Sequence, residues 1–141
     1  MATVNIYLSF NGTCEAAFNF YKSVFGGEFG YIGHFKDMPS SEGTVPDSEK
    51  DKIMHIDLPI SEETMLMGCD ISESMMGQKL IAGNNFSICI STRSEEESHR
   101  IFKALSEGGT IVMPLEKTFC SPLFGMLTDK FGISWMIDGN W

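Results

Sequence analysis

The sequence predicts an α+β protein made of two copies of one β-α-β-β-β module, residues 1–72 and 85–141, joined by a connector at 73–84. Three observations carry that prediction. The stretch VNIYLSFNGTCEAAFNFYKSVFGGE (4–28) aligns without a gap on FSICISTRSEEESHRIFKALSEGGT (86–110), at a constant offset of 82. Each copy opens with apolar residues at a period of two and continues with an apolar stripe at helical spacing. Each then closes on a glycine pair, Gly26–Gly27 or Gly108–Gly109, expected to take positive φ where the helix stops. A unit repeated this closely is a duplicated module.

Taken in order, Val4, Ile6, Leu8 and Phe10 alternate with Asn5, Tyr7 and Ser9 in a first strand. Cys14, Ala17, Phe18, Tyr21, Val24 and Phe25 form the stripe of the first helix, with Thr13 or Asn11 as its expected cap. Three strands follow: EFGYIGHF (28–35), KIMHIDLPI (52–60) and ETMLMGCD (63–70). Between the first two lies KDMPSSEGTVPDSEKD (36–51), polar and broken by Pro39 and Pro46, a long loop that is either a lid or disordered. In the second copy Phe86, Ile88 and Ile90 alternate with Ser87, Cys89 and Ser91. Ser94 and Glu97 form a capping box, and Ile101, Phe102 and Leu105 carry the helix stripe. Strands TIVMPLEK (110–117), FGMLTDK (124–130) and GISWMID (132–138) complete the module.

The chain has 141 residues, 43% of them hydrophobic, enough for the core of one domain of two packed halves. Its net charge of −9 argues against nucleic acid as a partner and against anionic membrane surfaces. Its apolar runs fall short of the roughly 18 residues of a membrane span. MATVNIYLSF has neither a basic segment nor a small-residue cleavage site, so a cytoplasmic location is expected. Cys14, Cys69, Cys89 and Cys120 are far apart without a CxxC pair, and read as free thiols of a reducing compartment.

Each helix must bury its stripe on one face of its sheet. Ile6, Leu8, Met54, Ile56, Leu58, Ile88 and Ile90 are the expected helix-facing set. The opposite faces then carry Asn5, Tyr7 and Ser9, His55 and Asp57, and Ser87, Cys89 and Ser91. Small hydroxyls, aromatics and a few ionisable groups are what a pocket selects, so these faces are expected to line a concavity. The expected ligand-binding residues are Tyr7, His55, Asp57, Ser87, Cys89 and Trp135, the last as stacking surface unless it packs in the core. His55 and Asp57 have Cβ atoms on one side of a strand, about 7 Å apart. They make a general base only if the two side chains lean together. A two-histidine metal site from His34 and His55 is a further arrangement the sequence allows, and His99, beside Arg100 on the second helix, is expected in solvent. Several of the ten methionines are expected to form an adaptable apolar wall.

The opening YLSFNGTCEAAFNFYKSVFGGE, the central IMHIDL and the closing FGMLTDKFGISWMID resemble, in this order, the vicinal oxygen chelate (glyoxalase/bleomycin resistance/extradiol dioxygenase) superfamily, in its PhnB-like branch. The resemblance implies a curved, mostly antiparallel mixed sheet around a cavity, a homodimer, and a small-molecule ligand. The superfamily's catalytic members hold a divalent metal on His, Glu or Gln of the first and last strands of each module. Here those strands offer Asn5, Tyr7 and Ser9, Met65 and Met67, Ser87 and Cys89, and Ser134, Trp135 and Met136. Octahedral chemistry on hard ligands cannot be built from that set. Binding without the usual metal is therefore the expected function, and a metal-dependent lyase, isomerase or dioxygenase the alternative. The segment TFCSPLFG (118–125) also departs from the branch's Trp-Gly pattern, which implies a different ligand. Some PhnB-like sequences carry a demethylubiquinone methyltransferase label, for which no glycine-rich nucleoside-binding turn is found here.

Overall fold

The structure is a computed structural model and describes residues 2–39 and 43–141. It divides into two compact units, Met1–Ile81 and Ala82–Trp141. Unit 1 contains β1 (Ile6–Phe10), α1 (Cys14–Phe25), β2 (Tyr31–His34), β3 (Ile53–Pro59), β4 (Met65–Asp70) and the short α2 (Glu73–Met76). Unit 2 contains β5 (Ile88–Thr92), α3 (Glu95–Ser106), β6 (Thr110–Glu116), β7 (Phe124–Thr128) and β8 (Ser134–Gly139). The two sheets have equivalent strand orders, β1-β4-β3-β2 and β5-β8-β7-β6. In each, the first strand runs parallel to the last and the other pairings are antiparallel. The duplicated α+β module read from the sequence is the fold. The segment expected as a connector holds α2 and crosses the boundary between the units.

In unit 1 the stripe of α1 (Cys14, Ala17, Phe18, Tyr21 and Val24) is buried against Leu8, Phe10, Ile53, Ile56, Leu58 and Leu66. Gly68 makes the close approach possible, because a Cβ there would fall 2.7 Å from the ring of Phe18. Unit 2 uses the same device: a Cβ on Gly125 would fall 2.7 Å from the ring of Phe102. Alternation along β7 and β8 buries Leu127, Trp135 and Ile137 on the helix side.

Three local expectations change. Met54 is not in the buried row of β3. A register shift opposite Gly33 and His34 puts an extra residue into β3, and Ile53 takes the helix-facing place instead. Thr13 stands at the N-cap of α1, but the capping oxygen belongs to Asp70 at the end of β4. Its Oδ1 accepts from the backbone N–H of Gly12 at 2.8 Å and Cys14 at 3.1 Å. The glycine pairs also differ. Gly26, Gly27 and Gly108 take positive φ, whereas Gly109 does not and is needed for closeness, since a Cβ there would fall 2.9 Å from Asp129 Cα. The capping box of α3 forms, with Ser94 Oγ accepting from Glu97 N–H at 3.1 Å. The Glu97 carboxylate accepts from Arg93 N–H rather than from the cap residue itself.

Of the loop expected over 36–51, residues 40–42 lie outside the described residues. The described parts form short 3-10 turns at Phe35–Asp37 and Asp47–Glu49. Glu49 accepts from the hydroxyls of Ser72 at 2.6 Å and Ser74 at 3.2 Å, which ties the second turn to the start of α2. Among the described residues no helix is long and apolar enough to cross a membrane.

Candidate functional site

The face of the unit 1 sheet turned away from α1 carries one row of directly paired residues from all four strands: Tyr7 (β1), Met67 (β4), Asp57 (β3) and Tyr31 (β2). The next row holds the pairs Ser9–Cys69 and His55–Gly33. Both tyrosines lean from their own row toward His55. The Tyr7 ring centroid is 5.7 Å and the Tyr31 centroid 6.0 Å from that of the imidazole. Tyr31 reaches it by lying over Gly33, where a Cβ would fall 2.6 Å from the phenol oxygen. Two aromatic faces thus flank one imidazole on an open sheet surface, with Tyr7 and Tyr31 each 49% exposed.

Polar contacts join the same groups. The Tyr7 hydroxyl is 3.4 Å from His55 Nδ1, and His55 Nε2 is 3.7 Å from Asp57 Oδ2. One face of the imidazole edge thus meets a phenol oxygen and the other a carboxylate oxygen. Burial raises the Tyr7 phenol well above its ordinary value, and Cys69 and Cys14 add to the rise. Tyr7 is therefore a neutral donor at physiological pH. Asp57 Oδ1 is buried and has no hydrogen-bond partner among the described residues. It lies against Gly30, whose backbone N–H donates to the Asp57 carbonyl at 3.1 Å. An unpaired buried carboxylate oxygen carries a desolvation cost that structure alone does not require, and such groups concentrate at functional sites.

Of the residues expected from the sequence, Tyr7, His55 and Asp57 come together on this face. Ser87 and Cys89 lie along β5 of unit 2, Ser87 just before the strand and half-buried, Cys89 exposed and paired with Met136. Trp135 is elsewhere. It is fully buried on the α3 side of its sheet and donates its indole N–H to Asp129 Oδ2 at 2.9 Å, so its surface is core and offers no open stacking face. His34 is not beside His55. It pairs with Ile53 beyond the register shift and its Nδ1 is 3.7 Å from Asp37. His99 is exposed, 3.8 Å from Glu95. Sequence reasoning missed Tyr31. Its spacing from Gly33 is a period-two signal, but only the pairing of β2 with β3 brings it to His55.

The donors for a divalent metal follow from the same geometry. His55 and Asp57 supply two, while the paired positions on the first and last strands are Tyr7 and Met67 in unit 1, Cys89 and Met136 in unit 2. Among the described residues no group of three or more His, Cys, Asp and Glu side chains converges. In unit 1, two hard donors beside the single thioether of Met67 do not fit a hard divalent ion, which takes three or more oxygen or imidazole ligands.

A family model described as 3-demethylubiquinone-9 3-methyltransferase matches residues 2–138. Protein YjdN of Escherichia coli K12 is 32% identical over 137 residues, covering 94% of this chain and 91% of its own. Among solved structures, PA1353 of Pseudomonas aeruginosa is 36% identical with a TM-score of 0.88, covering 99% of this chain and 98% of its own. The PhnB protein of Bacillus cereus is 26% identical with a TM-score of 0.76, covering 99% and 100%. Glyoxalase-related and glyoxalase/bleomycin resistance structures, at 16% and 17% identity and TM-scores of 0.66 and 0.60, share the fold alone.

Proposed function

Because the chain belongs to the family described as 3-demethylubiquinone-9 3-methyltransferase, in the PhnB-like branch of the glyoxalase/bleomycin resistance superfamily, we propose that it binds a small molecule on the open face of unit 1. The observation that carries this reading is His55 held between the rings of Tyr7 and Tyr31 above the partly unpaired carboxylate of Asp57. The rings offer stacking faces. The carboxylate favours a ligand whose N–H or O–H groups are polarised toward it. A flat, unsaturated molecule with such a donor on its edge matches both features.

Two features support binding over the chemistry that the relatives' names suggest. Methyl transfer from a nucleoside donor asks for a glycine-rich strand-turn-helix in a parallel doubly wound sheet. Here β1 meets α1 through Asn11, Gly12 and Thr13, in a sheet with one parallel pairing. Divalent-metal catalysis lacks its hard ligands, as the donor set above argues. The reading also takes the protein as a cytoplasmic homodimer; light scattering of the purified chain tests the dimer, and cell fractionation tests the location.

A thermal-shift screen of planar heterocycles and phenols tests the site. A ligand at 100 times its dissociation constant adds about 2.7 kcal/mol to stability. The expected result is a shift lost in His55→Ala and reduced in Tyr31→Leu. A shift that survives undiminished in His55→Ala places the ligand elsewhere and overturns the proposal.

A further inference from the structure

The equivalent row on the unit 2 sheet has a different chemistry. Where unit 1 has Tyr7, Met67, Asp57 and Tyr31, strand order and register give unit 2 Cys89 (β5), Met136 (β8), Met126 (β7) and Met113 (β6). Every member is a sulfur side chain. The row lies on the face away from α3, since the residues alternating with it on the central strands (Leu127, Trp135 and Ile137) are buried. Met113 joins it through a register shift. Ile111 pairs with Leu127 on the helix side, and the extra residue before Met113 turns that side chain over to face Met126. An unbroken strand would have put Met113 on the side of Ile111.

The neighbouring rows carry negative charge and hydroxyls. Ser91, Asp138, Phe124 and Glu116 pair on one side, and Ser134, Thr128 and Thr110 on the other. None of these eleven paired positions is Lys or Arg. Burial raises the Cys89 thiol above its ordinary value and the Asp138 carboxylate raises it further, so the free protein holds a neutral thiol there.

We propose that Cys89, Met136 and Met126, with Met113 at the margin, form a binding site for a soft monovalent metal cation such as Cu(I). Thiolate and thioether donors select such ions over hard divalent ones. Adjacent strands stand about 4.8 Å apart. A cation above the central Met136 is therefore within reach of sulfurs on both flanking strands, and the three rotatable bonds of methionine allow them to converge. On binding, the Cys89 S–H bond breaks, the proton passes to solvent and sulfur bonds to the cation. No electron is exchanged. The proposal rests on residues of unit 2 alone and not on the reading of the unit 1 face.

The test uses the full chain carrying Cys120→Ser, which removes the other exposed thiol. Anaerobic titration with Cu(I) against a competing chelator is expected to give one tightly held equivalent. Affinity should fall about tenfold or more in Met126→Leu/Met136→Leu and further in Cys89→Ser. These swaps conserve volume and cost little stability. As a check free of substitutions in the row, Ag(I) is added to protein with labelled methionine methyl groups. The signals of Met113, Met126 and Met136 should shift, with those of Met75 and Met76 unmoved. Affinity equal in all variants, or shifts confined to other methionines, overturns the proposal.

Discussion

The Asp57 carboxylate rests on the bare Cα of Gly30: its buried Oδ1 occupies the space that any side chain at position 30 would need. Its other oxygen faces His55 Nε2 at 3.7 Å. The glycine leaves room for the acid, and the acid lies beside the imidazole.

Gly30→Ala follows directly. Gly30 has no positive φ, so alanine is tolerated by the backbone. The atom in its way is the end of a movable side chain, and the stability cost should stay within about 1 kcal/mol. The displaced Asp57 releases His55, so the ligand-dependent thermal shift should fall sharply. Calorimetry of the free protein and a ligand titration read the two effects separately. A full ligand response in a stable Gly30→Ala protein shows that Asp57 does not organise the site.

Asp70 is 2% exposed and accepts from Gly12, Cys14 and, at 2.9 Å, Ile53 N–H, joining the start of α1 to β3 and β4. Asp70→Ala leaves three backbone donors without this acceptor. We expect a loss of about 3–5 kcal/mol in urea unfolding. Thr13→Val, at the nominal cap position, should cost well under 1 kcal/mol, because the capping oxygen is elsewhere.

Stability should fall at alkaline pH, in part through Cys14. Burial pushes this thiol far up, and the charges of Asp70, Cys69 and Glu15 push the same way. In the unfolded chain a thiol titrates near 8.5, so below about pH 8 both states keep the proton and the contribution is whole. Above that the unfolded chain ionises first, and stability declines until the folded value is passed. Melting temperatures from pH 7 to pH 10 should fall less steeply in Cys14→Ala than in the parent, whatever the offset between them.

Cys89 should alkylate slowly for an exposed thiol. Its raised value leaves little thiolate near neutral pH, and Asp138 contributes to that. Asp138→Asn removes a negative charge, lowers the thiol toward its ordinary value and should speed reaction with iodoacetamide at pH 7.5. Mass spectrometry of the Cys89 peptide follows the rate. An unchanged rate would mean that burial alone controls the thiol.

Much of the fold was readable because its signals are local. The offset between the copies, the two periodicities, and the Ser94–Glu97 cap are all decided within a turn or two of chain, where backbone geometry fixes which side chains share a face. The same alternation put Tyr7, His55 and Asp57 on one surface. It failed where a residue's position depends on a strand distant in sequence. The shift that buries Ile53 in place of Met54 arises in the pairing of β2 with β3. The cap of α1 comes from Asp70 at the far end of the module. Trp135, read as a stacking surface, is drawn into the core of unit 2 by burial of its ring and by a carboxylate that accepts its N–H. Tyr31 and the sulfur row become neighbours of their partners only through cross-strand register. Sequence determined which side chains each strand presents on each face; tertiary pairing decided which presented side chains meet, because hydrogen bonds between strands, and not chain proximity, set the distances between them.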